Sequence, residues 1–275
     1  MKIAVLLTCH NRCQKTNDCL RHLYNNKRVE GLSYDVYLVN DGCTDGTPVI
    51  VNQSYPKVKI IDGDGTLFWN RGMYVAWEAS KKGGLYDGVL WLNDDTLMRN
   101  DAFEIIYANV QKHPDSILVG TIRDLNDKDY TYGGYIKKNE ILKPTEEALQ
   151  CYHFNGNIVY VPTSVSDKIG ILDYYFRHSK GDFEYGIRAR KNGINCYAIP
   201  CIGNCDRNSP YVKWMDEKIT LTQRFKVLYS PLGNNPFEAF HLLKQTSYKR
   251  AITTFIYLHA KVIAPSLFPN RSKIS

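Results

Sequence analysis

Asn93-Asp94-Asp95-Thr96 follows directly on the apolar run Val89-Leu90-Trp91-Leu92. Adjacent carboxylates at the carboxyl end of a buried strand are costly unless a positive group sits beside them. In an open α/β sheet that end is also where ligands collect. A divalent cation shared with a phosphate suits such a pair, because Mg2+ and Mn2+ take one or two carboxylates and fill the remaining positions with substrate oxygens. The competing reading is a plain cap, with Asn93 or Asp94 starting a helix near Thr96. Two other acidic clusters stand out. Asn40-Asp41-Gly42-Cys43-Thr44-Asp45-Gly46-Thr47 follows the apolar run Val36–Val39, and Asp182 and Glu184 open the segment Gly181–Gly193. A turn explains the first locally, and a solvated helix start explains the second.

The elements that would position these clusters can be read in chain order. Ile3–Thr8 is a continuous apolar run, a buried parallel strand delivering the loop Cys9-His10-Asn11-Arg12. A helix is predicted from about Lys15, with Cys19, Leu20, Leu23 and Tyr24 on one face. Asp35–Val39 is a second strand. Val58–Ile61 is a third, followed by Asp62-Gly63-Asp64-Gly65 and a helix from about Asn70 with Met73, Ala76, Trp77 and Ser80 at helical spacing. Val89–Leu92 is the fourth. Strand, loop and helix repeated in this way predict an α/β fold with a mostly parallel central sheet flanked by helices, every polar cluster falling on one edge.

After Thr96 the pattern loosens. Ala102–Val110 reads as helix, Ser116–Gly120 as strand, Asp124–Lys143 as a hairpin or meander, and Phe154–Pro162 as one strand stopped by proline. Asp182 lies near a helix start and Gly193 suits its C-terminal cap. Cys196–Ile199 is a further strand, and from Trp214 the chain is helical, basic and aromatic.

The totals of 275 residues, 44% hydrophobic and 23% charged, describe an ordinary globular protein. The net charge of +7 is unevenly placed, because residues 244–273 contain Lys244, Lys249, Arg250, Lys261, Arg271 and Lys273 and no acid. That tail suits an anionic membrane surface better than nucleic acid, for which no signature is present. Its other readings are a homodimer contact and aromatics packed back on the chain. Eight cysteines without paired C-x-x-C spacing read as reduced thiols of a cytoplasmic protein, with no signal peptide ahead of the first strand. The most apolar late segment, Ala251–Leu267, is interrupted by His259, Lys261 and Pro265 and is not a membrane span. His10 and His153 read as ordinary polar residues.

The motifs Thr8-Cys-His-Asn-Arg12, Val39-Asn-Asp-Gly-Cys-Thr-Asp-Gly-Thr47, Asn70-Arg-Gly72, Leu92-Asn-Asp-Asp-Thr96, Asn155-Gly156 and Gly181-Asp-Phe-Glu-Tyr-Gly-Ile-Arg188 occur in one fixed order. In that order the chain resembles the inverting family 2 glycosyltransferases of GT-A fold, and most of all the bacterial rhamnosyltransferase-like branch of O-antigen and capsule synthesis. The resemblance covers roughly residues 1–210. It implies a catalytic domain over 1–212, with a nucleotide-binding half (1–100) and an acceptor-binding half (101–212), and an extension over 213–275.

The resemblance also implies roles. Thr8, Asn11, Arg12, Asp41, Gly65, Asn70, Asn93 and Asp94 would bind the nucleotide-sugar, and Asp95 with Asp94 would hold Mn2+ or Mg2+. Asn93 stands where the family has an aspartate, which leaves the division between ribose and metal open. Trp69, Asn155, Gly156 and Arg188 would contact donor or acceptor sugar. Asp182 would be the catalytic base, with Glu184 as runner-up. Many relatives carry a histidine after the last sheet strand. Here Cys201-Ile-Gly-Asn-Cys-Asp-Arg207 has none, so Asn204, Cys205, Asp206 or water takes its place, or Arg207 meets the diphosphate.

The implied donor is dTDP-rhamnose or a UDP-hexose such as UDP-galactose, and the implied acceptor is a hydroxyl of a growing, lipid-linked surface glycan. Two rival readings are a catalytically silent glycan-binding or scaffolding subunit and a sugar-phosphate nucleotidyltransferase. The latter needs a Gly-rich basic loop after the first strand, and Thr8–Arg12 lacks one.

Overall fold

In β1 (Lys2–Cys9) successive side chains enter different cores: Ile3, Val5 and Leu7 join one buried cluster and Ala4 and Leu6 another. A strand apolar on both faces has to lie inside a sheet covered on both sides. The computed structural model, which describes residues 1–136, 140–207 and 212–268, has that arrangement. The chain divides into two compact units, Met1–Tyr174 with Gly181–Arg207, and Tyr175–Lys180 with Asn208–Ser275.

In the first unit β1 is followed by α1 (Cys13–Tyr24), β2 (Ser33–Asn40), α2 (Thr47–Ser54), β3 (Lys59–Asp62), α3 (Phe68–Gly83) and β4 (Gly88–Leu92). Next come β5 (Leu97–Met98), α4 (Ala102–Lys112), β6 (Ile117–Arg123), β7 (Tyr130–Tyr132) and β8 (Gly134–Tyr135). The unit closes with β9 (Leu149–Cys151), β10 (His153–Phe154), β11 (Ile158–Pro162), α5 (Thr163–Ile169), α6 (Gly181–Lys191) and β12 (Cys196–Asn204). Among the described residues the main sheet runs β3-β2-β1-β4-β11-β6-β12-β5, with β7 on β6 and β9 on β12.

The first four strands are mutually parallel, as the repeated strand-helix pattern predicts. Beyond β4 the sheet is mixed: β11 runs antiparallel to both β4 and β6, and only β12 returns parallel to β6. The expectation of a mostly parallel sheet holds along the main path, where β11 and β5 are the strands that run the other way.

One expectation is corrected, and one helix lies where none was named. Phe154–Pro162 is not one strand; it breaks at Asn155-Gly156-Asn157, β10 pairing with β8 and β11 with β4. The helix α2 carries no amphipathic signal, since Val49 and Ile50 are exposed and only Thr47 and Val51 are buried. In the stretch expected to be a hairpin or meander, β7 pairs antiparallel with β6 and β8 with β10; residues 137–139 lie outside the described set, as do Arg271 and Lys273.

The core face beneath the polar edge is aromatic. Trp91 of β4 meets Trp77 of α3 at 5.8 Å, Tyr185 of α6 at 5.4 Å and Phe154 of β10 at 6.3 Å between ring centroids. This cluster ties α3, α6 and β10 to β4, fixing the starts of both helices beside the strand's end.

The second unit contains α7 (Leu221–Tyr229), α8 (Pro236–Lys244) and α9 (Tyr248–Ile263) around Trp214, Leu228, Ala239, Leu258 and Val262. Each helix has a side-chain N-cap: a Thr220–Gln223 capping box, Asn235, and Ser247. Residues 175–180 join this unit because Arg177 pairs with the buried Glu238 at 2.9 Å and Tyr175 stacks on His241 at 4.0 Å.

Candidate active site

β4 ends by turning, not by starting a helix. Asp94 and Asp95 occupy a turn that leads into β5, so neither Asn93 nor Asp94 caps a helix at Thr96. The Arg12 guanidinium at the head of α1 spans both carboxylates, with Nη1 2.8 Å from Asp94 Oδ1 and 3.1 Å from Asp95 Oδ2. One turn into α1, the Thr16 hydroxyl donates to Asp94 Oδ2 at 3.4 Å. Burial pushes the Asp94 carboxyl up to about 6, opposed by Arg12 and reinforced by the Asp95 charge. Thr16 went unnoticed in the sequence. The available signal was its place four residues after Arg12, on the same helix face.

Cys205, one of the residues after β12 weighed as a replacement for a histidine, fills the space beside Asp95. Its Sγ lies 3.7 Å from Asp95 Oδ1, and burial raises the thiol to about 12, so it stays protonated and donates. Asn204 donates to the Asp124 carbonyl, and Asp206 accepts from the Leu125 N–H. Of the open alternatives, Cys205 is therefore the one against the carboxylate pair.

Asn93 faces the other way. Its Oδ1 accepts from the Trp69 indole N–H at 2.6 Å, and its own N–H donates to the Asn157 carbonyl at 2.9 Å. The Trp69 ring lies over Gly156, where a Cβ would come within 2.5 Å of Cζ2. The Gly156 N–H in turn donates to Asp182 Oδ2 at 3.1 Å, and the Phe183 N–H to Oδ1 at 2.8 Å. One indole thus links the end of β4 to the carboxylate that opens α6. Asn155 is anchored beside them by the Tyr135 hydroxyl, at 2.6 Å. Gly156→Ala is expected to push the indole away and cut kcat by roughly 10²-fold, since misplacement of about 1 Å costs that much. Steady-state kinetics with an unchanged melting temperature would check this.

Several residues expected to touch ligand frame the site in this structure. Asp41 is 2% exposed, and its carboxylate accepts from the N–H groups of Gly65, Leu67 and Phe68 at 2.9, 3.2 and 2.9 Å. It holds the loop that starts α3. Gly65 is required there: its φ is +83°, and a Cβ on the facing Gly42 would fall 2.8 Å from its Cα. Thr8 packs on Gly72 of α3. Asn70 is fully buried, donates to the Asp173 carbonyl at 2.8 Å and fills the space beside Gly181. Asn11, at φ 51°, accepts from the Thr44 N–H at 2.7 Å and binds the loop after β1 to the loop after β2.

Glu184 and Arg188 do not join the cluster. Glu184 is 2% exposed, and Arg188 grips both its oxygens at 3.0 and 2.7 Å. The same guanidinium donates to the carbonyls of Ile169 and Ile171 at 2.6 and 2.9 Å. A carboxylate closed in this way is occupied with holding α6 to the end of α5.

A sheet parallel through β3-β2-β1-β4, with carboxylates after β2 and β4 and a third at the head of α6, is the GT-A architecture of a glycosyltransferase. The chain belongs to glycosyl transferase family 2, whose model matches residues 4–165. No curated protein sequence matches it. Among solved structures it is similar to S. aureus TarS, with TM-score 0.59 at 15% identity over 89% of this chain and 42% of that one. It is also similar to TarS 1-349 in complex with UDP-GlcNAc, with TM-score 0.62 at 14% identity over 99% of this chain and 77% of that one. TarS 1-349 with UDP gives 0.59 at 14% identity, again over 99% and 77%. The chain spans less than half of the longer TarS.

Proposed function

We propose that this chain is an inverting glycosyltransferase that moves a hexosyl group from a pyrimidine nucleoside-diphosphate sugar to a hydroxyl of a growing, lipid-linked bacterial surface glycan. The donor is a UDP-hexose or dTDP-rhamnose. Residues 1–100 hold the nucleotide, residues 101–212 present the acceptor, and residues 213–275 form the extension, with the reaction on the cytoplasmic side. The observation that carries the reading is the single indole, Trp69, joining Asn93, next to the Asp94–Asp95 pair, to Gly156 and Asp182.

In this reading an Asp182 oxygen takes the proton of the acceptor hydroxyl as that oxygen attacks the anomeric carbon. The bond from that carbon to the diphosphate oxygen breaks in the same in-line step, which inverts the centre. Trp69 and Asn155 orient the sugars, and Arg12 meets the leaving diphosphate.

Among the described residues no group of three or more His, Cys, Asp and Glu side chains is arranged to hold a metal by itself. The adjacent carboxylates of Asp94 and Asp95, which share the half-exposed Arg12 here, fit Mn2+ or Mg2+ once Arg12 turns to the diphosphate, since such ions take one or two carboxylates with phosphate oxygens and water. Bound there, such an ion supplies charge neutralisation of the leaving diphosphate. Glu184 and Arg188 are assigned to the fold of α6 and not to catalysis.

Thermal shifts with UDP and dTDP, with and without Mn2+, test this. One nucleotide is expected to raise the melting temperature, and more so with Mn2+. Because Asp94 takes up its proton as the pH falls through about 6, the Mn2+ contribution should weaken by about tenfold in affinity per pH unit below that point. If neither nucleotide shifts the transition, the reading fails and a glycan-binding subunit replaces it.

A further inference from the structure

Helix α9 turns one side inward and leaves another uncovered. Ala251, Leu258 and Val262 are buried. Tyr248, Ile252, Ile256 and Ile263 are between 51% and 67% exposed, and Leu267 in the next turn is 75% exposed. At about 100° per residue the four helical positions fall within about 80° of arc, an apolar stripe whose one polar member is the half-buried His259, bonded to the Tyr229 hydroxyl. Monomer surfaces seldom keep such a stripe without a use for it.

The charge carried by α9 and the residues after it is of one sign, with Glu217 of the preceding segment meeting the chain at Ser266. Lys249 and Arg250 are exposed at the helix's first turn. From Ala239 to Ser275 the sequence has Lys244, Lys249, Arg250, Lys261, Arg271 and Lys273 and no acid. A second copy meeting this stripe about a two-fold axis would bring like charges together, which disfavours a dimer here. An anionic lipid leaflet answers both features, because headgroup phosphates attract the cations and the acyl boundary accepts the apolar side chains. No described helix is long and apolar enough to cross a membrane, and α9 has 16 residues. An element of that length and pattern lies in the plane of the surface.

We propose that α9 seats the second unit on an anionic membrane surface, with Ile252, Ile256 and Ile263 entering the acyl boundary and Lys249 and Arg250 at phosphate level. The inference does not depend on the transfer reaction, because its test needs neither donor nor acceptor.

The full chain is sedimented with vesicles of phosphatidylcholine, alone or mixed with phosphatidylglycerol. It is expected to pellet with the mixed vesicles and to stay in solution with the neutral ones. Ile252→Asp with Ile256→Asp should lower partitioning by about tenfold or more, with the helical circular dichroism unchanged because both positions are exposed. Lys249→Glu with Arg250→Glu should remove the preference for anionic vesicles. No pelleting with the mixed vesicles, or full pelleting of the isoleucine variant, overturns the proposal. So does a concentration-dependent dimer, in sedimentation velocity, that the isoleucine changes dissolve.

Discussion

Asp182→Asn is expected to lower kcat by roughly 10²–10⁴-fold while leaving nucleotide binding and melting temperature close to wild type. The Gly156 and Phe183 N–H groups bind separate carboxylate oxygens, at 3.1 and 2.8 Å, so the amide oxygen keeps one of these contacts and gives up the other, a cost of about 1–2 kcal/mol that leaves the loop and the helix start in place. What is lost is the group that receives a proton. Glu184→Gln should behave in the opposite way. It weakens the buried pair with Arg188, so its cost is read in the melting temperature, while kcat per folded molecule stays within a few-fold. Comparing the two variants by single-turnover kinetics separates the roles. Near-normal transfer by Asp182→Asn would overturn the assignment of the base.

Arg12→Met is expected to destabilise the protein in a pH-dependent way. Asp94 is buried, and with the guanidinium gone its charge keeps the Thr16 hydroxyl and the attraction of Lys15 against the repulsion of the neighbouring Asp95. Removing one partner of a buried pair costs about 3–5 kcal/mol, and with Arg12 itself 40% exposed, solvent screening reduces this to about 2 kcal/mol. The direction with pH follows from the raised carboxyl. Folded Asp94 keeps its proton up to about pH 6, whereas the unfolded chain releases it near 3.8, so the native protein loses stability as pH climbs between those values. Without Arg12 the folded value rises further, and the loss continues to higher pH. The variant should therefore melt close to wild type at about pH 5 and several degrees lower at about pH 8. An equal deficit at both pH values would mean that Arg12 acts through packing.

The first hundred residues were legible because β1, β2 and β4 are apolar runs buried through most of their length, and these strands and the half-buried edge strand β3 are each followed by polar residues at one edge. The second half was not. The position of β11 depends on partners from β4 and β6, far away in sequence, and the break at Gly156 is imposed by Trp69 lying across it. The helix α2 buries too little to show a period; Thr47-Pro48 at its start was the one local sign. At the site, motif order brought Asp94, Asp95, Asp182 and Trp69 together. What residue type does not reveal is a side chain's existing commitments. Asp41 looks like a ligand group until its three backbone donors are known, and Glu184 looks like a base until Arg188 is seen on it.

Strand order also sets an order of assembly. β11 lies between β4 and β6, yet it is built from Ile158–Pro162, which are synthesised after both neighbours. Until it arrives, β4 has a bare edge beside the carboxylate turn, the kind of edge other chains pair with. Inserting it closes that edge and, in the same event, carries Gly156 under Trp69. β4 is thus covered before Asp182 of α6 and the β12 partner of β6 have been made, so slow synthesis through the 150s would be paid for in misassembled chains.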